Sequence, residues 1–363
     1  MREKFDDPIA LLKVPYFVVK LFAARNGETI VSAVLIAPKC SSALIAPVLH
    51  IGDDSVLPIS EAEQSSCRHY DAINSAFPME KVYFEKLIKF PFEEKDGQSL
   101  TFEIVADSGR YRSPKYSWIS KNRLPFPDKD NIYRVAGNMG VPSFLLEGGT
   151  WFKKLDDVSR ARLGKSVIDV DVLDWGVGCG RILRHLVEHG AKSVSGCDID
   201  PVNIAWAKKN ICQEVYNSDY DPPLPFSDSS FDVIYGHSVF THLTYDDQFK
   251  WLDELNRILR PGGFAIVTVC GETGVYITKN KQLDGAAQFL REYREKGFFD
   301  FGALSVGVDD ARPGYYRLIA HTHDFVREKW SNHMVVADII PCFAQHQDAV
   351  ILTKKGSVSP RRG

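Results

Sequence analysis

The segment Val172–Arg181, VLDWGVGCGR, sets Gly176, Gly178 and Gly180 at alternate positions just after an acid, Asp174. Glycine adopts backbone angles that other residues resist, and it has no Cβ to hold a ligand away from the main chain. Where a strand runs into a helix, such a loop serves close backbone contact with a bound molecule. A second acid, Asp198, stands in the downstream segment GCDIDP. A carboxylate ending the next strand can bond the vicinal hydroxyls of a ribose. Together the two features point to a nucleoside-bearing ligand.

Groups able to move a proton lie further on. His237 directly follows a predicted strand, His321 and His323 are two residues apart, and His346-Gln347-Asp348 form a cluster. An imidazole of ordinary pKa is neutral near pH 7 and can accept a proton. His237 and His346 are the catalytic candidates, whereas His242 reads as a packed or capping histidine. His321 and His323 have no acids nearby at ligand spacing, so no metal is expected. The seven cysteines, Cys40, Cys67, Cys179, Cys197, Cys212, Cys270 and Cys342, are scattered and form no CxxC pair. They read as small buried hydrophobes, not as a disulfide or metal framework.

The elements that must position these residues alternate from Val167 onward. Val167–Leu173 is a nearly continuous apolar strand, as a central parallel strand should be. A helix over Arg181–His189, a strand over Ser193–Cys197 and a helix over Pro201–Ile211 follow, the last with proline in its first turn. Phe231–Tyr235 is a strand, Tyr245–Leu259 a helix, and Arg260-Pro261-Gly262-Gly263 stops it before a strand over Phe264–Val269. This alternation predicts an α/β fold, a mostly parallel sheet with helices on both faces. Met334–Ile340 and Ala349–Thr353 are expected to pair antiparallel at the sheet edge. Ahead of the sheet, Val141–Leu146 and Thr150–Leu163 read as two helices separated by Gly148-Gly149. The stretch 271–328 is longer than a crossover helix and reads as a lid insertion.

The N-terminal third has another character. Tyr16–Ala23, Thr29–Ala37, Ala43–Leu49, Lys81–Phe90 and Leu100–Ala106 are β-branched or aromatic runs between turn residues, with a short helix possible around Glu61–Ala76. Residues 1–115 are therefore expected to form a β-rich accessory domain, sandwich-like in character. Residues 116–131 read as a linker, 132–355 as the catalytic domain and 356–363 as a polar tail.

At this point a resemblance carries the reading further. Asp174-Trp175-Gly176-Val177-Gly178-Cys179-Gly180 resembles the first motif of Rossmann-like (class I) S-adenosylmethionine-dependent methyltransferases. Pro222–Tyr235 resembles that family's approach to its fourth strand, Ser238-Val239-Phe240-Thr241-His242-Leu243 the segment after it, and Leu259–Gly263 the turn before the fifth. The resemblance covers roughly residues 132–355, and the residues before 116 match nothing comparable. It implies S-adenosyl-L-methionine as co-substrate. The glycine loop, with Asp174 before it, would meet the amino and carboxypropyl end, Asp198 the ribose hydroxyls and Ile199 the adenine. Asn217, Ser218 and Asp219 would lie along the adenine edge, with Gly236, His237 and Ser238 flanking the methionine moiety. Trp175 departs from the usual pattern.

Transfer of a methyl group to a small-molecule or glycan acceptor, at oxygen, is the function this implies. The alternatives are a non-catalytic S-adenosylmethionine-binding module and a nucleotide-dependent oxidoreductase. The latter requires G-x-G-x-x-G, and Arg181 occupies the position of its third glycine. The net charge of −3, from 44 basic and 47 acidic residues, supplies no field for a polyanion, so no nucleic-acid partner is expected. No apolar run approaches the ~20 residues of a membrane span, and no signal-peptide pattern is present, so a cytoplasmic setting is expected. Oligomeric state is not read from the sequence.

Overall fold

A computed structural model describes residues 16–23, 28–38, 45–51, 55–58, 64–66, 79–89, 99–106, 109–112, 116–117, 124–136, 141–271, 275, 286–303, 314–344 and 347–356. The chain divides into two compact units. One comprises Met1–Lys121, Gly140–Thr150 and Tyr276–Ala286, and the other Asn122–Met139, Trp151–Val275 and Ala287–Gly363.

The first unit holds strands β1 (Tyr16–Ala23), β2 (Glu28–Pro38), β3 (Ile45–Ile51), β4 (Ser55–Pro58), β5 (Gln64–Ser66), β6 (Met79–Lys89), β7 (Ser99–Ala106), β8 (Gly109–Arg112) and β9 (Tyr116–Ser117). They form two antiparallel sheets, ordered β1-β2-β6-β5 and β4-β3-β7-β8, with β9 paired to β7. Runs such as YFVVKLFA and ETIVSAVLIAP favour the pleated conformation because branched side chains pack well on it. Within the stretch considered for a short helix, Gln64–Ser66 is instead strand, paired with Val82–Phe84. The other residues of Glu61–Ala76 lie outside those described.

Residues 116–131 contribute β9 and the first turn of helix α1 (Lys129–Ala136). Helix α2 runs unbroken over Val141–Leu163, so the two helices expected either side of Gly148-Gly149 are one. Two glycines inside a helix cost about 1 kcal/mol each, which does not force a break when the flanking turns are buried. Here Phe144, Leu145 and Leu146 on one side and Trp151, Phe152 and Leu155 on the other are all buried.

The second unit is built on a seven-stranded sheet. Its strands are β10 (Asp171–Trp175), β11 (Ser193–Asp198), β12 (Val215–Asn217), β13 (Phe231–Gly236), β14 (Leu259–Val269), and then β17 (Val335–Ala344) and β18 (Gln347–Thr353). The spatial order is β12-β11-β10-β13-β14-β18-β17; β10 to β14 are parallel, and β18 runs antiparallel to both its neighbours. Between β14 and β17 lie helix α6 (Ala286–Lys296) and the antiparallel pair β15 (Phe298–Ala303) and β16 (Arg317–His321). Other parts of the expected 271–328 insertion, and the tail beyond Gly356, lie outside the described residues.

Strand alternation sorts side chains to the two faces of the sheet. Leu173, Ile234, Ala265, Val267 and Val350 pack on one face with Trp251, Leu252, Leu255 and Ile258 of helix α5 (Tyr245–Ile258). Val172, Val233, Phe264, Ile266 and Ile351 pack on the other with Trp151, Phe152 and Leu155 of α2 and Leu186 of α3 (Leu183–Glu188). The chain turns back across the sheet between β10 and β13. Open α/β sheets bind ligands at such a switch point, outside the carboxyl ends of the strands. Among the described residues no helix is long and apolar enough to cross a membrane.

Candidate active site

One cavity opens at those strand ends, and the glycine loop forms its floor. Gly176, Gly178 and Gly180 have φ of +80°, +51° and +79°, angles that a side chain resists. The loop is held by the Cys197 carbonyl, which accepts the Gly176 N–H at 2.8 Å and the Val177 N–H at 3.1 Å. The three glycines differ in what surrounds them. A Cβ on Gly176 would lie 2.5 Å from Val239 and one on Gly178 2.6 Å from Val135, both on the cavity wall. A Cβ on Gly180 would instead strike Ile211 at 2.3 Å, in the packing behind the loop. Gly180 does not line the cavity. Gly236 does not either; its missing side chain makes room for the Trp175 ring, which also meets Phe240 and Trp251.

Asp198, at the end of β11, accepts the Gly178 N–H at 2.7 Å and the Asp200 N–H at 2.8 Å. Burial pushes its carboxyl up to about 6 against those hydrogen bonds, and the Asp200 charge adds to the rise. Asp174, at the end of β10, is also buried, which pushes it up to about 7; Asp198 raises it further while Tyr235 and Arg181 pull it down. Two acids destabilised as anions in one cavity favour a cationic ligand. Asp200 has a different task. Its side chain caps helix α4 (Pro201–Asn210) by accepting from Val202 and Asn203, and it pairs with Arg134 of α1 at 2.6 Å.

Two histidines face the cavity in opposite states. Arg181, 8% exposed, donates to Nδ1 of His237 at 2.7 Å. A guanidinium only donates, so Nδ1 supplies the lone pair and the neutral ring carries its proton on Nε2. His242, in the segment after β13, lies 2.6 Å through Nδ1 from the Arg317 carbonyl, so there Nδ1 carries the proton. Its ring stacks on Tyr316 with centroids 3.9 Å apart.

Beyond β13, Ser238 has φ of +64° and is fixed by a polar clamp. Its N–H donates to Thr268 Oγ1 at 2.8 Å, and Gln347 Nε2 donates to its hydroxyl at 2.7 Å. Of the cluster expected at His346–Asp348, Gln347 therefore braces this loop, while buried Asp348 pairs with His323 at 2.7 Å. His346 lies outside the described residues. His321 is wholly buried among Phe298, Phe325 and Trp330, which pushes its imidazole down to about 3. Neither His321 nor His323 lines the cavity.

The fold thus gathers Asp174, Gly176, Gly178, Asp198, Ile199, Ser218, His237 and Ser238 around one space. Gly180, Asn217, Asp219 and Gly236 are outside its lining. Asn217 uses its side-chain amide to bond the Asp198 and Ser218 carbonyls, shaping the wall from behind. Sequence reasoning missed Arg134 and Val135, which no local motif marks. Tyr315 and Tyr316, aromatic residues of the expected 271–328 insertion, do line the cavity, and so does His242, which reads from the sequence as a packed or capping histidine. Among the described residues no group of three or more His, Cys, Asp or Glu could hold a metal ion.

Residues 173–267 match the family model described as "Methyltransferase domain". The chain is similar to a protein of Mycolicibacterium smegmatis named "Probable S-adenosylmethionine-dependent methyltransferase", with 31% identity over 145 residues, 39% of this chain and 54% of that one. It is also similar to a demethylmenaquinone methyltransferase of Chlorobaculum parvum, 27% identical over 96 residues, 26% of this chain and 39% of that protein. The chain thus spans about half or less of these relatives' length. Among solved structures, PKMT2 from Rickettsia typhi in complex with AdoHcy aligns at 18% identity and a TM-score of 0.38, covering 59% of this chain and 55% of that one.

Proposed function

We propose, from the premise that residues 173–267 are an S-adenosylmethionine-dependent methyltransferase domain, that this chain methylates a small-molecule or glycan acceptor at oxygen. One observation carries the reading. A strand-end carboxylate, Asp198, and the left-handed backbone of Gly176 and Gly178 border a single cavity at the switch point of the sheet. The cradle fits S-adenosylmethionine because Gly176 and Gly178 keep the floor clear of side-chain atoms. The acids Asp174 and Asp198 suit a ligand with a ribose and two cationic centres. Trp175, Trp251 and Tyr316 line the same space, and aromatic faces attract a cation.

In this reading Asp198 takes the ribose hydroxyls, Ile199 packs on the adenine and Ser218 lies at its edge. Asp174 and the glycine loop hold the amino-acid end, with His237 and Ser238 beside it. When bound, the cofactor supplies an electrophilic methyl on sulfur. The chain's own contribution is alignment, which lowers the barrier by holding the acceptor oxygen in line with that methyl. Ser238, clamped by Thr268 and Gln347, gives the loop beside the methyl a fixed position. Arg181 fixes the ring of His237 as a donor towards whatever faces Nε2. A small or glycan acceptor is favoured because the chain's charge, −3 overall, offers no attraction for nucleic acid.

Titration calorimetry with S-adenosylhomocysteine and with NADH tests the cofactor. Tight binding of the first alone is expected, and binding of NADH alone overturns the reading. Mass spectrometry of sugar, lipid and polyketide-like acceptors, scored for gain of one methyl, then identifies the acceptor class.

A further inference from the structure

We infer that His242, not His237, is the group that receives the acceptor's proton, and that its Nε2 marks where a hydroxyl-bearing acceptor sits. The inference rests on the methyl-transfer reading above and adds the residue that handles the proton.

Four observations carry it. His242 lines the same cavity as Asp198, Gly176 and Gly178. Its Nδ1–H is committed to the Arg317 carbonyl at 2.6 Å, which leaves the lone pair on Nε2 by necessity. The ring is held between that carbonyl and the Tyr316 face, so it is oriented before any ligand arrives. Finally, the side chain lines the cavity and makes no further bond among the described residues, so Nε2 is unspent. His237 is the reverse case, because Arg181 already takes its acceptor nitrogen.

The chemistry needs only a weak base. As the acceptor oxygen bonds to the methyl carbon, the carbon–sulfur bond breaks and its electron pair stays on sulfur. The oxygen becomes positively charged, and its O–H proton passes to Nε2 of His242 and then to water. A protonated ether is a far stronger acid than an imidazolium, so the transfer runs downhill. Burial pushes the His242 imidazole down to about 4, which keeps it neutral and able to accept at any pH near neutrality.

The test uses the full chain saturated with S-adenosylhomocysteine and treated with diethylpyrocarbonate, which acylates an imidazole at an available lone pair. Peptide mapping should find His242 modified at least tenfold faster than His237. In parallel, His242→Asn keeps a donor at the Nδ1 position for the Arg317 carbonyl but has nothing at Nε2. Its S-adenosylhomocysteine affinity and unfolding temperature should match the wild type, while methyl transfer to any hydroxyl acceptor of the wild type falls ~10²-fold or more. An unreactive His242, or an His242→Asn variant that turns over normally, overturns the inference. Failure of the wild-type chain to bind S-adenosylhomocysteine would instead overturn the methyl-transfer reading itself.

Discussion

Arg181 donates to Nδ1 of His237 at 2.7 Å, and this hydrogen bond sets which ring nitrogen of the neutral imidazole keeps its proton. The guanidinium is largely buried and the imidazole is held as a single tautomer. His237→Asn puts an amide oxygen close to where Nδ1 was, so Arg181 keeps a partner and turnover should stay within about tenfold of the wild type. His237→Ala removes one hydrogen-bond partner of the buried guanidinium and should cost roughly 1–3 kcal/mol of stability, read from denaturant unfolding. A drop of several hundredfold in turnover for the Asn variant would restore His237 as a base.

Asp198 is expected to bind the ribose as an anion. Asp198→Ala should weaken S-adenosylhomocysteine binding by ~1.5–3 kcal/mol, the scale of charge-assisted hydrogen bonds. Because the carboxyl is pushed up to about 6, wild-type affinity should already decline as pH falls through that value. Calorimetry between pH 5 and pH 8 checks the sign. Flat affinity across that range argues that Asp198 does not carry the contact.

Gly178 and Gly180 share a left-handed backbone but face different neighbours, so the same substitution should separate them. Alanine at either position costs ~1–2 kcal/mol in backbone strain. Gly178→Ala also crowds the cavity at Val135 and should lose cofactor affinity. Gly180→Ala crowds Ile211 and should lose stability while any folded protein binds normally. Adding Ile211→Ala should recover part of that stability. Equal loss of binding in both variants would mean that the loop responds as one unit.

Asp174 carries a stability cost at neutral pH. Its folded-state pKa, about 7, lies above the unfolded carboxylate value, so the folded chain holds this proton more tightly. The contribution to stability is greatest at low pH and is lost as pH rises through about 7. Asp174→Asn should therefore stabilise the chain by roughly 1–3 kcal/mol at pH 8 and much less at pH 5, while weakening cofactor binding. Unfolding midpoints of both proteins at the two pH values settle the matter, and an Asn variant less stable at pH 8 contradicts it.

Much of the catalytic unit was legible because its signals are local. A turn that only glycine tolerates and a proline-started helix leave their marks within a few residues, so the glycine loop and α4 were readable in place. The strand expected over Val167–Leu173 is instead a 3-10 turn over Val167–Asp169 followed by β10 from Asp171. Asp198 was readable for the same reason: the end of a parallel strand is where such a fold binds ligands. Helix α2 was misread at Gly148-Gly149, since the apolar burial that offsets two glycines is a property of the packed chain. The cavity wall was harder. Arg134 reaches Asp200 across 66 residues, and Tyr316 meets the His242 ring only after the chain has passed through α5, β14 and α6. The roles of the two histidines depended on tertiary structure most of all. Sequence places both His237 and His242 after one strand, and it favours His237 as the base while His242 reads as a packed or capping residue. Which ring nitrogen holds the proton is set by Arg181, 56 residues from His237, and by the Arg317 carbonyl, 75 residues from His242. A tautomer follows the hydrogen-bond partner at hand, and only the folded chain brings that partner within 3 Å.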